Sequence, residues 1–356
     1  MKQNILPLIQ EHTRAIYDLE NKSFNVKKIN ARHLLTITRF DLFAKLYYIK
    51  YRQSKPEQAK KVYCEHIKVF NPDLREPGRN DKFGLDKFIT TFDTLIQTFK
   101  VSSFDDSVSV IPVDKNGVIL DGAHRVAALA YFDKEVTIAQ FDDVESKGLF
   151  NYSYFINRGL SIETADIIAL EATNWCRNLY AACLWPKVSN HNDREQVKNF
   201  LKRYTNLLYE KNTLVSLGHL TQFVAKIYAE QDWVGTPQDH FKGAKDKALH
   251  CYSLSRHFEV LFFQSSLSLN DIVGMKEEIR SHFNYGKHVI HITDNDSETR
   301  YISELMLDKK ARALWLNDDS IVSLNFIYEK LNELVVLFKY NCLLPFKTFV
   351  YKVLKS

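Results

Sequence analysis

The sequence has no Cys-x-x-Cys pair, and its five cysteines, at 64, 176, 183, 251 and 342, are odd in number and far apart. Such scattered thiols argue against a disulfide framework or a thiolate zinc site and fit a reducing compartment. Only 11 glycines and 8 prolines occur in 356 residues, too few for long disordered linkers. No apolar run approaches the ~20 residues of a membrane span. The opening "MKQNILPLIQEHTR" lacks the apolar core of a secretory signal, so a cytoplasmic chain is expected. The net charge is only +5, with no concentrated basic face or basic recognition helix, and no nucleic-acid partner is expected. A Walker loop, a G-x-G-x-x-G fingerprint, a nucleophile elbow and a zincin motif are all missing.

What is present is 45% apolar residues and a length sufficient for two domains with proper cores. Residues 31–66 read mostly as helix from the spacing of "LLTITRFDLFAKLYYIKYR" and "EQAKKVYCEHIKVF". "NPDLREPGRNDKFG", with its prolines, glycines and charges, reads as a loop. "LDKFITTFDTLIQTFK" returns to helical period, with Leu85, Phe88, Ile89, Phe92, Leu95, Ile96 and Phe99 on one core-facing stripe. "SVIPV" and "VIL", joined by "DKNG", predict a β-hairpin with an Asn-Gly turn. "GAHRVAALAYF" then reads as a helix and "EVTIAQF" as a strand, closing an α/β domain near residue 145.

At the hand-over from hairpin to helix stands "DGAHR", residues 121–125. The first N–H groups of a helix are unpaired and its dipole attracts anions, so this end is suited to a phosphate. Asp121 occupies an N-cap position and Gly122 permits close backbone approach. His124 and Arg125 fall in the first turn, where cations oppose the dipole unless an anion is bound. Arg presents a fork of donors that matches phosphate oxygens. The plainer alternative is that Asp121 only caps and Arg125 only pairs with a surface carboxylate.

"IPVDKNGVILDGAHRVAAL" resembles the signature of the ParB/sulfiredoxin superfamily, over roughly residues 62–141. There a hairpin runs into G-E-R-R in ParB nucleotidases, G-C-H-R in sulfiredoxins or D-G-H-H-R in free-serine kinases. Ala123 stands where sulfiredoxins need their nucleophilic cysteine, which excludes that activity. The kinase form differs from this chain only by one His replaced with Ala123. The resemblance therefore implies a nucleotide-dependent kinase in which Gly122, Ala123, His124 and Arg125 bind phosphate. It implies ATP as donor, ADP or CTP being open alternatives, and Mg²⁺. Asp121 then binds Mg²⁺, orients the acceptor hydroxyl or caps. The family's upstream carboxylate base corresponds to a residue near "NPDLREPGRNDK": Glu76 is the choice, Glu65 and Asp73 its rivals. Arg75 and Arg79 are candidate substrate contacts.

From about 150 the pattern alternates helices with strands "AACLW", "LLYE", "TLVSL", "FEVLFFQ" and "HVIHI", predicting a second α/β domain. Within it Trp233 and Lys242 in "DWVGTPQDHFKGAKDK" could grip a sugar or a phosphate, although an ordered turn with a buried Trp explains them more simply. His288 and His291, three apart on a strand, would face opposite sides and make a poor metal site. The basic amphipathic tail, with Lys339, Lys347, Lys352 and Lys355, could touch an anionic membrane surface.

The whole chain is also similar to bacterial proteins of surface-polysaccharide gene clusters, through "LLTITRFDLFAKLYYIKY", "YCEHIKVFN", the hairpin motif, "DWVG…FKGAKDKA" and "GKHVIHITDN". That likeness implies a carbohydrate, polyol or glycan acceptor. The expected place remains the cytoplasm, peripheral to the inner membrane where the basic tail touches it. The expected architecture is α/β (α+β). It comprises a helical region over 1–60, a ParB/sulfiredoxin-like nucleotide-binding domain over 61–148, a second α/β domain over 149–316 shaping the acceptor site, and a helical tail over 317–356. The expected activity is a phosphotransferase with an alcohol group as acceptor. A ParB-like nucleotide-hydrolysing switch with no small-molecule product is the rival.

Overall fold

Gly117 closes a turn over Asp114–Gly117, its N–H donating to the Asp114 carbonyl at 3.0 Å and its φ left-handed at +80°. The computed structural model describes residues 5–76, 78–283 and 285–316. It is a mixed α/β chain that divides after Arg177 into two units. The first contains α1 (Glu11–Tyr17), β1 (Phe24–Asn30), α2 (Asp41–Tyr51), α3 (Pro56–Phe70), β2 (Arg75–Glu76) and β3 (Arg79–Phe83). It continues with α4 (Leu85–Val101), β4 (Ile111–Val113), α5 (Ala123–Tyr131), β5 (Glu135–Phe141), α6 (Tyr152–Asn157) and α7 (Ile162–Trp175).

The sheet order is β1-β5-β4, with β1 antiparallel and β4 parallel to β5. The parallel pair is linked by α5, the crossover that parallel strands need. The hairpin forms in reduced shape. Leu120 N–H donates to the Pro112 carbonyl at 2.9 Å, and the returning run makes only a bridge between Val113 and Ile119. Asp114 fixes the turn by accepting from the N–H groups of Asn116 and Val118, both at 2.8 Å.

Four expectations change here. The region 1–60 is not only helical, because β1 pairs along the full length of β5. Much of β1 is solvent-exposed, so it carries no apolar alternation for a sequence reading to find. Residues 31–34 form a short 3-10 turn, and regular helix begins at Asp41. The loop over 71–84 instead makes the β2–β3 ribbon, turned through Gly78 at φ +75°. Finally, α6 and α7, assigned by sequence to the second domain, belong to the first unit, whose end lies at 177 rather than 148.

Helix α2 is buried on every side from Asp41 to Ile49, so its two charged residues must find partners in the interior. Helix α5 packs its small buried residues, Val126 to Ala130, against α2 and α4. In α4 the fully buried residues are Phe88, Phe92, Ile96 and Phe99. Leu85, Ile89 and Leu95 lie at the margin of that stripe. Truncating Phe92 to Ala would cost about 3–5 kcal/mol through lost burial and the cavity left behind.

The second unit contains β6 (Leu179–Leu184), α8 (His191–Tyr204), β7 (Asn206–Leu214), α9 (Leu217–Ile227), α10 (Lys242–Cys251) and β8 (His257–Gln264). It ends, among the described residues, with α11 (Leu269–His282), β9 (Ile290–Ile292), α12 (Asp296–Leu307) and α13 (Lys309–Leu316). Its sheet, ordered β7-β8-β6-β9, is antiparallel throughout. Leu261 and Phe263 on β8 meet Val197 and Leu201 of α8 and Ile272 and Ile279 of α11. On the other face, Phe258 meets Phe223 of α9 and Trp185. Helices on both faces explain why β8 reads as a nearly unbroken apolar run. The expected strand "LLYE" and the first two residues of "TLVSL" form one strand, β7, whose register shifts between Leu207 and Tyr209; α8, whose polar face dominates its sequence, was not anticipated. The tail 317–356 lies outside the described residues.

Candidate functional site

Entry into α5 is made by Gly122, the N-cap residue, with φ +87° and ψ 22°. A Cβ at that position would meet Ile111 Cδ1 at 2.5 Å, so only glycine fits both the backbone and the space. Asp121 is therefore not the N-cap. Its Oδ1 accepts from the Gly122 N–H at 2.6 Å, and no side chain caps the helix. The opening N–H groups of α5, from Ala123 and His124, are left to face a ligand or water.

Arg125 folds back over this end. Its Nη2 and Nε lie 3.0 and 3.2 Å from where a Gly122 Cβ would stand. The guanidinium donates to Ser109 Oγ and reaches Asp121 Oδ2 at 3.4 Å. Both ends of that pair stay about one-fifth exposed, at 21% for Arg125 and 23% for Asp121. A long, part-exposed pair of this kind contributes little stability.

His124 points the other way, into the unit. Its Nε2 lies 2.9 Å from the Tyr63 hydroxyl, and its ring meets Phe92 edge-on at 4.8 Å. Burial first, then the charges of Lys45 and Lys82, pushes its pKa well below the usual histidine value, so the ring is neutral. Burial also raises the Tyr63 hydroxyl well above its ordinary value, so it stays protonated and can donate. His124 therefore does not act as the cation that its position in the sequence implied.

Beneath the motif lies a charged cluster that sequence reasoning missed. Arg39 grips Asp41 bidentately at 2.8 and 2.9 Å and donates to the Ile119 carbonyl at 2.7 Å, tying α2 to the hairpin. Lys45 Nζ lies 2.9 Å from Asp41 Oδ2 and 3.3 Å from His66 Nε2. His66 Nδ1 faces the Tyr63 carbonyl at 3.3 Å, which places its proton on Nδ1 and leaves Nε2 to accept from Lys45. Burial alone would raise the Asp41 carboxyl, but Arg39 and Lys45 hold it far below the carboxylate range. His66 is pushed down to about 3, mainly by burial and then by Lys45. The sequence signal was available: Asp41 and Lys45, four apart, are charges inside a helix with no polar face.

Glu76 sits on the ribbon with its Oε2 2.6 Å from Lys82 Nζ. Lys82, nearly buried, lies over the Phe88 ring at 4.5 Å. The Lys82 charge acts on both Lys45 and His124, and the Glu76 charge acts on Tyr63. The structure thus brings Glu76 and the His124 end of the motif into one electrostatic neighbourhood. Its rivals fare differently. Glu65 accepts from the Ser161 N–H at 2.7 Å and from Thr164 Oγ1, which ties down the start of α7 and lowers its pKa despite partial burial. Asp73 is exposed. Arg75 lies over the Phe83 ring at 5.2 Å, and the Arg79 side chain lies outside the described residues.

In the second unit, residues 232–243 form an ordered turn, with a Thr236–Asp239 capping box and Gly243 pressed against the Trp233 carbonyl. The turn is as the plainer expectation had it, but Trp233 is 46% exposed rather than buried. Lys242 is exposed. His291 is buried between the Tyr228 hydroxyl at 3.0 Å and Glu298 at 2.8 Å, a structural chain. Among the described residues no group of three or more His, Cys, Asp or Glu could hold a metal ion. No helix there is long and apolar enough to cross a membrane. No family model, curated protein or solved structure matches the chain.

Proposed function

We propose that the first unit is a ParB/sulfiredoxin-like, nucleotide-dependent kinase that phosphorylates an alcohol group of a carbohydrate, polyol or glycan. The observation that carries this reading is the uncapped start of α5, entered through Gly122, with Arg125 folded over it. The order β4, turn, Asp121–Arg125, α5, parallel β5 supports it as well.

The donors suit a phosphate chain. Backbone N–H groups of Ala123 and His124 and the Arg125 fork can each meet a phosphate oxygen. With Tyr63 donating to its Nε2, the neutral His124 ring stays packed toward α3, so of this residue only the backbone N–H is offered to the phosphates. Asp121 fits one carboxylate ligand of Mg²⁺, an ion that takes one or two protein carboxylates and fills its shell with phosphate and water. ATP with Mg²⁺ supplies the terminal phosphoryl group. Glu76, held by Lys82, takes the hydroxyl proton as the acceptor oxygen bonds to phosphorus and the bond to departing ADP breaks.

The test is an acceptor screen with labelled ATP and Mg²⁺ over sugars, sugar phosphates, polyols and serine, with Arg125→Ala and Glu76→Ala run beside the wild type. Label on one acceptor, absent in both variants, is the expected result. Steady hydrolysis with no acceptor would favour the nucleotide-switch reading instead.

A further inference from the structure

Helices α8 and α11 pack on one face of the second sheet, where Val197 and Ile279 belong to the same buried core as Leu261 and Phe263 of β8. Over Val197 and Ile279 a cavity of about 420 Å³ opens between the two helices. That is the size of a small-ligand pocket, for which ~300–1,000 Å³ is usual. The α8 wall is one stripe at helical spacing: Gln196, Asn199, Phe200 and Arg203. The facing wall is the last turn of α11, Glu278 and His282, with the C-cap residue Phe283.

Part of this lining is already fixed. His282 Nε2 donates to Gln196 Oε1 at 3.3 Å, a bond that spans from one wall to the other. Phe200 and Phe283 are partly buried against the core below. Phe200 also packs on Tyr204 at 5.5 Å, and Phe283 meets the His282 ring edge-on at 5.1 Å. The exposed side chains of Asn199, Arg203 and Glu278, by contrast, bond to nothing among the described residues. One space is thus faced by a donor fork, a carboxylate acceptor and an amide that both donates and accepts.

We propose that this pocket binds a neutral sugar unit. A pyranose ring has a face of C–H groups, which settles on aromatic carbon, and a girdle of hydroxyls that each donate and accept. Those hydroxyls can accept from Arg203 and Asn199 and donate to Glu278. An anion would meet Arg203 but be repelled by Glu278. A wholly apolar ligand would strip water from three polar groups without replacing their bonds. The inference stands apart from the kinase reading, since no residue of the first unit enters it. The ligand is a free sugar or a residue of a glycan chain, which present the same ring.

Saturation-transfer NMR on the full-length protein tests this with glucose, galactose, N-acetylglucosamine and maltotriose, and with benzoate and inorganic phosphate for comparison. At least one sugar should bind saturably. Asn199→Ala and Glu278→Gln, both at exposed positions, should each raise its half-saturating concentration by about 3- to 10-fold, the loss of one hydrogen bond. Tighter binding of maltotriose than of any single sugar identifies a glycan chain, and no such gain a free sugar. The proposal is overturned if no sugar binds, if benzoate or phosphate displaces the sugar at lower concentration, or if both pocket variants bind as the wild type does. Sugar binding lost in Glu76→Ala and unmoved in the pocket variants would place the sugar at the kinase site, so the two readings fail separately.

Discussion

The Tyr63 hydroxyl lies 2.9 Å from Nε2 of His124, joining the middle of α3 to the first turn of α5. That bond takes one ring nitrogen out of play and aims the imidazole away from the solvent-facing mouth where Arg125 sits. The two basic residues of the motif are thus divided, one inward and neutral, one outward and charged.

Gly122→Ala should lower stability by about 1–3 kcal/mol, because a left-handed φ and a clash with Ile111 coincide. Denaturant unfolding measures it. A loss below 0.5 kcal/mol, roughly the size of an ordinary surface change, would mean the α5 entry can relax.

Arg125→Ala should weaken nucleotide binding by about 10- to 100-fold while leaving the fold intact, since its bond to Asp121 is long and part-exposed. Arg125→Lys should recover only part, because an ammonium lacks the fork. Calorimetric titration with ATP and Mg²⁺ gives both values; wild-type affinity in the Ala variant would remove Arg125 from the site.

Glu76→Gln should lower the rate constant for phosphoryl transfer by about 10²–10⁴-fold with nucleotide affinity nearly unchanged, as expected for a proton acceptor. A fall in affinity with an unaltered rate constant would instead assign Glu76 to holding Lys82 in place.

Asp41→Asn should cost about 3–5 kcal/mol, because it leaves Arg39 and Lys45 buried without their counter-charge. Thermal and urea unfolding report it. A change under 1 kcal/mol, the scale of a surface ion pair, would place water in the cluster.

Acid should destabilise the first unit from near neutrality downward. His66 is depressed from 6.5 to about 3, so below pH 6.5 the unfolded chain binds a proton that the folded chain refuses. Stability is therefore intact above pH 6.5 and falls until about pH 3, at a slope near 1.4 kcal/mol per pH unit for this one group. Asp41, also depressed, adds a loss in the same direction below its ordinary range. Subtracting the pH profile of His66→Gln from that of the wild type isolates the slope; parallel profiles would show that His66 titrates freely.

Much of the site was legible because its signals are local. An Asn-Gly turn, a glycine before an apolar helix and a basic first turn are fixed by backbone conformation and side-chain type within twenty residues. The α4 stripe was legible for the same reason.

Other features depended on partners far along the chain. The ribbon over 75–83 is rich in turn-forming and charged residues, so its strand pairing shows only in the fold, where Lys82 lies over Phe88. β1 has no burial pattern of its own and exists because β5 offers it an edge. Sequence placed Asp121 at the cap, but the steric limits at Ile111 give that position to Gly122.

What the sequence determined by itself was the order of elements around residues 110–141 and the chemistry gathered at Asp121–Arg125, since both follow from near-neighbour geometry. Only the tertiary structure decided that His124 is neutral, that Glu65 ties down the start of a helix while Glu76 joins the cluster, and that Asp41, Lys45 and His66 share one buried network. Charge state and pairing depend on burial and on groups distant in sequence, and those exist only once the chain has folded.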